Sequence, residues 1–316
     1  MDNDFSRLFD GEALLAVETL NIDAASFRQM EDTGDVERRV IETVAARGKQ
    51  HNPVTGSGGM LLGTVLQLAP GRPAEALAVG DRVATLVSLS LTPLRVERIK
   101  AVRPASAQMD IDGEAVLFAS GAYARLPDDM PERLALAVLD VAGAAPQVAR
   151  LVHPGASVLV LGGGGKSGIL CAAEARRRAG PSGRVFAVES YAAYAGELRA
   201  LRICDDVFEL DARDPVAVRR AVVAANGGRE VDVAFSCVNV PDAEMAAILS
   251  TRDRGVAYFF AMSTSFTKAA LGAEGVGKDI DLVIGNGYAH EHAAHSLAMM
   301  RDLPDVRALF ERRYTS

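Results

Sequence analysis

The sequence is poor in cysteine and has no long apolar run, and each shortage excludes a class of protein. The three cysteines, Cys171, Cys204 and Cys237, cannot build a disulfide framework or supply a four-cysteine zinc cluster. No stretch reaches the roughly 18 apolar residues of a membrane-spanning helix. The start, MDNDFSRLFDGEA, has neither the basic nor the apolar region of a secretory signal. We therefore expect a cytoplasmic protein with no membrane association.

The charge balance is acidic, with 41 Asp and Glu against 34 Lys and Arg and a formal net charge of -7. A protein with this balance has no overall attraction for nucleic acid, so we expect no nucleic-acid partner. The hydrophobic share of 49% and the charged share of 24% are typical of a globular protein rather than a disordered one. A length of 316 residues favours about two domains.

The first part of the chain, residues 1–130, is predicted to fold mainly as short strands between Gly and Pro turns. Strand patterns cover residues 12–20, 63–68 and 81–89, and apolar spacing predicts one helix over residues 35–47. Short strands separated in this way are typical of a small β-barrel. We expect this domain to carry the substrate and the catalytic groups.

From residue 131 onward, strand patterns alternate with helical ones. This alternation predicts a doubly wound parallel sheet, so residues 131–316 form a dinucleotide-binding (Rossmann) domain with C-terminal helices and the whole chain is α/β. The predicted strands cover residues 157–161, 184–188, 206–210, 231–235, 255–261 and 281–284, and the predicted helices include residues 131–141, 142–151 and 305–314.

The strongest motif is a glycine-rich turn, Gly163-x-Gly165-x-x-Gly168, which follows an apolar strand and opens a helix. In a dinucleotide-binding turn the first glycine permits the bend, the second lets the pyrophosphate approach and the third lets helix and strand pack closely. The phosphates then meet the free N–H groups of the helix start. Lys166 and Ser167 are predicted to lie beside the phosphates.

Glu189 ends the next predicted strand, where an acid binds the adenosine ribose and repels a 2'-phosphate. It favours NAD, with NADP possible. A P-loop is excluded because Val160 stands where that motif needs its first glycine. A tight glycine turn without any ligand is the other alternative.

The carboxyl ends of the later strands should face the nicotinamide half of the cofactor, because ligands bind at that edge of a parallel sheet. Cys237, Met262 and Asn286 stand at or just after these ends and are predicted to contact the cofactor. Cys237 is expected to pack under the ring rather than act as a nucleophile.

The combination of domains, with GTVLQL and VGDRVATL in the first, resembles the medium-chain dehydrogenase/reductase superfamily. The segments VETLNIDAASF, HNPVTGSGGMLLGTV, LVSLSLTPL, TSFTKAALGAEGVGKD and IGNGY resemble one branch, the L-erythro-3,5-diaminohexanoate dehydrogenases. The resemblance implies a GroES-like β-barrel domain before the Rossmann domain. It also implies NAD(P)-dependent oxidative deamination of (3S,5S)-3,5-diaminohexanoate, a step of lysine fermentation, and a homodimer.

The zinc ligands of the superfamily's metal-dependent members are missing from this sequence. Aligned with their first ligand motif, Asp23 stands at the Cys position, and TGSGGM replaces their G-H-E turn. No cysteine occurs between residues 84 and 130, where the cysteine-rich lobe would lie. We therefore expect no catalytic zinc.

An ammonium substrate needs a carboxylate to bind it and a base to remove a proton. Asp23 is the first candidate, with an Asp that caps a turn as the alternative. Asn21 and Ser26 flank it and could orient it or hydrogen-bond the substrate, or could be turn residues. Thr55 and Ser57 belong to a glycine loop that could bind the substrate carboxylate through its N–H groups, with their hydroxyls as further donors, or could be a tight barrel turn. His51, just before this loop, could carry a proton or be an ordinary surface histidine.

The segment AHEHAAHS brings three histidines close to a Glu. Tyr288 and Glu291 are further catalytic candidates, with Glu291 suited to the second ammonium of a diamine. A metal site, helix capping and a solvated face are the other interpretations. Two rival functions stay open: a zinc-free ketone, quinone or enoyl reductase, and a non-catalytic NAD-binding scaffold.

Overall fold

The computed structural model describes residues 1–32, 34–52, 56–72, 76–261, 263–285 and 287–315, and only the backbone of Ala24 and Ala25. The chain divides into two compact units. The first unit comprises Met1–Asp140 together with Glu311–Ser316, and the second comprises Val141–Phe310. The domain roles assigned above stay predictions.

The first unit contains a six-stranded antiparallel sheet in the order β4-β5-β1-β2-β3-β6. Its central strand β1 pairs with β2 on one side and with β5 on the other. The hydrophobic core of this unit includes buried side chains of β1 and β5, among them Leu15, Leu20 and Met109. The elements are β1 (Ala13–Asn21), α1 (Ala24–Asp32), α2 (Val36–Arg47), β2 (Met60–Leu68), β3 (Arg82–Thr85), β4 (Leu94–Arg103), β5 (Gln108–Leu117), β6 (Tyr123–Arg125) and α3 (Glu132–Leu139).

The predicted helix over residues 35–47 is confirmed as α2, and its two ends show why it forms there. Asp35 accepts a hydrogen bond from the N–H of Arg38 at 3.1 Å, which satisfies a free donor of the first turn. Gly48 ends the helix in the left-handed conformation, with φ of 66°. Three apolar residues, Val36, Val40 and Val44, face the core.

One prediction for the first unit was wrong, and several elements were not predicted. The residues after β1 begin the helix α1, which Asp23 caps and which was not predicted. The strand predicted over residues 81–89 stops at Thr85, and Ser88 caps a short 3-10 helix instead. Strands β4 and β5 were not predicted, because charged residues interrupt their apolar alternation.

The second unit contains a six-stranded parallel sheet in the order β12-β11-β10-β7-β8-β9. The order reverses at β7, which is where a doubly wound sheet binds its ligand. The elements are α4 (Ala144–Leu151), β7 (Ser157–Leu161), α5 (Lys166–Ala179), β8 (Arg184–Glu189), α6 (Ala192–Leu201), β9 (Asp206–Glu209), α7 (Pro215–Ala225), β10 (Val231–Ser236), α8 (Glu244–Ser250), β11 (Thr251–Phe259), α9 (Phe266–Gly275), β12 (Asp281–Ile284) and α10 (His292–Asp302). The last helix, α11 (Pro304–Tyr314), includes residues assigned to both units.

The predicted α/β class with a parallel sheet is confirmed. Five of the six predicted strands match to within one residue at either end, whereas β11 begins at Thr251 rather than at Gly255. Within the described ranges no single helix is long and apolar enough to cross a membrane. Helices α3 and α4 meet that test only together, as a bent pair, and by length and composition alone.

Candidate active site

The glycine-rich turn joins β7 to α5 and is built by close backbone packing. The left-handed residue of the turn is Gly162, with φ of 72°, and not Gly163 as the motif suggested. The N–H groups of Gly162 and Gly163 both donate to the carbonyl of Val188, at 2.9 and 3.1 Å. A Cβ on Gly168 would lie 2.0 Å from the carbonyl oxygen of Gly162. No side chain fits there, so the third glycine sets the approach of helix to strand.

The start of α5 suits the pyrophosphate of a dinucleotide. Gly165 occupies the N-cap position and no side chain caps the helix, and the N-terminus of a helix attracts phosphate groups. A Cβ on Gly165 would meet nothing nearer than 3.7 Å, which leaves room beside the turn. Lys166 and Ser167 form the beginning of the helix and are half-buried. The described residues therefore fit a dinucleotide.

Glu189 lies at the end of β8, buried against the glycine turn. Its Oε2 accepts a hydrogen bond from the N–H of Gly164 at 3.0 Å, and its Oε1 accepts one from the N–H of Tyr191 at 3.0 Å. The carboxylate therefore supports the turn from the side where the ribose is expected. The exposed rings of Tyr191 and Tyr194 lie 5.9 Å apart beside it, and neither residue belongs to a motif that would have predicted this position.

Cys237 follows β10 and is held against the glycine turn, since its N–H donates to the carbonyl of Leu161 at 2.9 Å. Its sulfur lies 3.7 Å from that of Cys171 on α5. The hydrogen bond with Cys237, and then burial, raise the pKa of the Cys171 thiol well above its usual value. The geometry favours packing for this pair. Met262 and Asn286, the other two predicted cofactor residues, lie outside the described residues.

A relay of hydrogen bonds lies at the end of β1 in the first unit. Asn21 is fully buried, and its Nδ2 donates to Oδ1 of Asp140 at 2.9 Å. Gln108, its register partner on β5, donates its Nε2 to Oδ1 of Asn21 at 3.1 Å. Asn21 is thus held by protein groups. Sequence reasoning missed Asp140 and Gln108, because they lie 119 and 87 positions from Asn21 and carry no local motif.

Asp23 uses only one of its two carboxylate oxygens in hydrogen bonds within the described part of the chain. Its Oδ1 accepts the N–H of Ser26 at 2.9 Å, which caps α1. Its Oδ2 is buried and has no hydrogen-bond partner among the described residues. A buried carboxylate oxygen without a partner is costly in a folded protein unless a ligand completes it.

The segment before β2 is fastened to the start of α1 by Asn52. Its Nδ2 donates to Oγ of Ser26 at 2.8 Å and to Oε1 of Gln29 at 2.9 Å. Sequence reasoning also missed Asn52, although it adjoins His51, which was considered. Ser57 contributes its carbonyl, which accepts the N–H of Asn52 at 2.6 Å. Thr55 lies outside the described residues.

The glycines that follow are required by close backbone approach rather than by an anion. Gly59 has φ of 83°, and a Cβ there would lie 2.1 Å from the carbonyl oxygen of Asn21. The N–H of Gly58 donates to Oγ of Ser88 at 3.1 Å, and that of Gly56 to the carbonyl of Asn52 at 2.8 Å. The N–H groups of Gly56 and Gly58 therefore already donate to protein atoms. This geometry favours the tight turn over the predicted nest for the substrate carboxylate.

Four buried acceptor atoms, on residues that follow β1, begin β5 or precede β2, have no partner among the described residues. We call them the acceptor cluster, and they are Asp23 Oδ2, Gln50 Oε1, His51 Nδ1 and Gln108 Oε1. Burial, and then the charges of Arg47 and Lys49, lower the pKa of His51 below its usual value. The imidazole is therefore neutral at pH 7 and can accept a hydrogen bond when Nε2 carries the proton.

The histidine segment of the second unit does not converge on one point. Tyr288 is 52% exposed and its ring contacts that of His292, with centroids 4.8 Å apart. His292 is buried, which lowers its pKa, whereas His295 faces Glu174 at 3.5 Å. Glu291 is exposed and precedes α10 with φ of 54°. Among the described residues no three His, Cys, Asp or Glu side chains are placed to hold a metal.

Solved structures share the fold of this chain. AibC aligns over 95% of this chain and 80% of its own, with a TM-score of 0.63 and 20% identity. The Escherichia coli quinone oxidoreductase, solved with NADPH, aligns over 96% of this chain and 82% of its own, with a TM-score of 0.60 and 16% identity. The predicted fold, a GroES-like domain followed by a Rossmann domain, is therefore the fold that this chain shares with these structures.

Sequence comparison narrows the class. A family model described as the L-erythro-3,5-diaminohexanoate dehydrogenase N-terminal domain matches residues 1–127. The L-erythro-3,5-diaminohexanoate dehydrogenase of Acetoanaerobium sticklandii is 49% identical over 320 residues, covering 99% of this chain and 93% of the relative. That of Fusobacterium nucleatum subsp. nucleatum is 51% identical over 314 residues, covering 98% and 91%. This chain belongs to the L-erythro-3,5-diaminohexanoate dehydrogenase family, as its motifs predicted.

Proposed function

We propose that this protein is an NAD(P)-dependent amine dehydrogenase that converts (3S,5S)-3,5-diaminohexanoate into 5-amino-3-oxohexanoate and ammonia. The observation that carries the proposal is the 49% and 51% identity to two relatives of that name over nearly the whole chain. The glycine turn supports it, because the start of α5 suits a dinucleotide. No observation favours a ketone, quinone or enoyl reductase, or a non-catalytic scaffold.

The chemistry asks the protein for a carboxylate near the reacting amino group. Asp23 meets this need, since Oδ1 is fixed by the N–H of Ser26 while Oδ2 has no protein partner. It would hold the ammonium group and take the proton that must leave before the nitrogen lone pair can form a C=N bond. When bound, the nicotinamide supplies the hydride acceptor. Water then adds to the iminium carbon, and ammonia leaves.

NAD is the proposed cofactor rather than NADP. Glu189 lies buried beside the turn, with one oxygen on the N–H of Gly164 and the other on that of Tyr191. A carboxylate in this place attracts ribose hydroxyl groups and repels a 2'-phosphate. Lys166 and Ser167 are proposed to contact the phosphates.

The remaining site candidates are proposed with smaller roles. Tyr288 and Glu291 are exposed in the second unit, where their side chains are accessible to a ligand. The buried Asn21 and Ser26 are proposed to hold Asp23 and its surroundings in place, because their side chains are bonded to Asp140 and Asn52 respectively. Each assignment is checked by alanine substitution and measurement of KM.

Three further properties belong to the proposal. The reaction is expected to need no catalytic zinc, because Asp23 stands where the metal-dependent members have their first cysteine ligand. We place the reaction in lysine degradation in the cytoplasm. We expect a homodimer, as in superfamily relatives, and light scattering of the purified protein checks this.

The test is an assay of the purified protein with synthetic (3S,5S)-3,5-diaminohexanoate. We expect reduction of NAD+, followed at 340 nm as NADH absorbance, together with ammonia release in equal amount. An enzyme stripped with a chelator should keep its activity. Turnover of simple ketones or enones, combined with no turnover of the diamino acid, would refute the proposal.

A further inference from the structure

The acceptor cluster has a composition that points to its ligand. Each of its four atoms accepts hydrogen bonds, and Gln50 and Gln108 are almost completely buried, with 2% and 1% exposed. Acceptor atoms cannot form hydrogen bonds with one another. The four atoms therefore need donors that the neighbouring protein groups do not supply. Two ammonium groups, which carry only donors, are the complement of such a set.

The members of the cluster lie on segments that are in direct contact. The Cβ position of Gly59 is 2.1 Å from the carbonyl oxygen of Asn21, and that of Gly58 is 2.6 Å from the carbonyl oxygen of Gln50. Gln50 therefore lies beside the end of β1, where Asn21 pairs with Gln108. The bond from Asn52 to Ser26 joins the same segment to the helix that Asp23 caps.

The orientation of the Gln108 amide follows from the hydrogen-bond relay. The carboxylate of Asp140 only accepts, so Asn21 must present its Nδ2 to it. Asn21 then presents Oδ1 to Gln108, which must donate its Nε2. The remaining atom of that amide, Oε1, is the one left without a partner. Asp140 thus fixes Gln108 as an acceptor toward a ligand.

We propose that Gln50 and Gln108 are specificity residues whose side-chain carbonyls accept hydrogen bonds from the second ammonium group of the substrate. They would select a diamino acid over a monoamino acid, while Asp23 serves the amino group that reacts. His51 supports this, because a neutral imidazole accepts a hydrogen bond and places no positive charge near the two ammonium groups. The inference rests on the proposed function and adds the basis of substrate choice.

The enzyme would select the diamino acid because the acceptors of Gln50 and Gln108 stay without donors when the bound substrate has no second ammonium group. A monoamino acid would bury Gln50 and Gln108 with their acceptors still unpaired, and such sites reject analogues that lack the polar group. The wild-type protein should therefore prefer 3,5-diaminohexanoate over 3-aminohexanoate by at least about 100-fold in kcat/KM.

The experiment compares the two substrates in wild-type protein and in Gln50→Met, a variant of similar volume without the carbonyl. We expect kcat/KM for 3,5-diaminohexanoate to fall at least tenfold, and kcat/KM for 3-aminohexanoate to stay within threefold. A merely structural role would lower both values together. Gln67→Met, at an exposed position of β2, is the matched control and should change neither.

Gln108→Met is the second variant, and its thermal unfolding is measured because it also removes the bond to Asn21. Equal losses with both substrates in the two variants, or a wild-type protein without preference, would overturn the inference and leave the proposed function intact. A wild-type protein that oxidises neither amino acid would refute the proposed function, and this inference with it.

Discussion

The two candidate sites use their polar groups in opposite ways. At the glycine turn, both oxygens of Glu189 are occupied by the N–H groups of Gly164 and Tyr191, and the backbone is packed to contact distance. At the end of β1, the acceptor cluster leaves four buried atoms without a partner among the described residues. The Glu189 carboxylate is therefore paired within the protein, whereas we propose that the substrate supplies the donors for the acceptor cluster.

The largest expected effect tests the packing of the glycine turn. In Gly168→Ala the new Cβ would lie 2.0 Å from the carbonyl oxygen of Gly162, so the helix start must move. We expect NADH binding, measured by fluorescence titration, to weaken by about 100-fold or more. The control is Gly196→Ala within α6, where a Cβ meets nothing within 4 Å. Binding that survives in Gly168→Ala would contradict the tight turn.

The second prediction separates the two sites. Asp23→Asn keeps an oxygen to accept the N–H of Ser26 but removes the negative charge at the unpartnered position. We expect kcat for the diamino acid to fall by about 100-fold or more, with NADH affinity unchanged. Steady-state kinetics and the same fluorescence titration measure the two quantities. Activity near that of the wild type would leave Asp23 as a helix cap only.

The third prediction concerns the choice of dinucleotide. Glu189→Gln retains an acceptor for one backbone N–H but removes the charge that opposes a 2'-phosphate. We expect kcat/KM for NADP+ to rise by about tenfold relative to that for NAD+, equivalent to about 1.4 kcal/mol. The ratio is read from initial rates with each cofactor. An unchanged ratio would show that other residues set the preference.

The smallest effect is expected for Asp140→Asn, which tests whether the hydrogen bond from Asn21 to Asp140 contributes to substrate choice. An amide can either donate or accept, so it no longer forces Asn21 and Gln108 into one orientation. We expect the preference for the diamino acid to fall by about three- to tenfold, because a hydrogen bond contributes roughly 1 kcal/mol. Substrate competition assays measure this preference, and an unchanged value would separate Asp140 from substrate choice.

Local signals account for what the sequence could predict. The apolar strand, the glycines and the helix around residues 157–179 are contiguous, so the nucleotide turn followed from spacing alone. Asp35 and Gly48 similarly mark both ends of α2. Even there, the residue with positive φ is Gly162, because a run of four glycines does not say which one bends.

Contacts distant in sequence account for what could not be predicted. Gln108 and Asp140 meet Asn21 only after β1 and β5 have paired and α3 has packed, and neither residue lies in a motif. Strands β4 and β5 carry charges that pair across the strands, as Arg98 does with Asp112, and these hide their alternation in the sequence. The helix after β1 was not predicted because Asp is common both at helix N-caps and in turns, so Asp23 alone does not distinguish them.

The hydrogen bonds from Gln108 through Asn21 to Asp140 all run in one direction, since each amide donates toward the carboxylate. An anion at the far end of this relay makes every amide point the same way, and a cation there would turn each of them around. The chemical character of the ligand-facing atom is then encoded at the last residue before the second unit, 119 positions from Asn21. For protein engineering, our proposal predicts that a change of substrate class can begin at Asp140, which acts on Gln108 through Asn21.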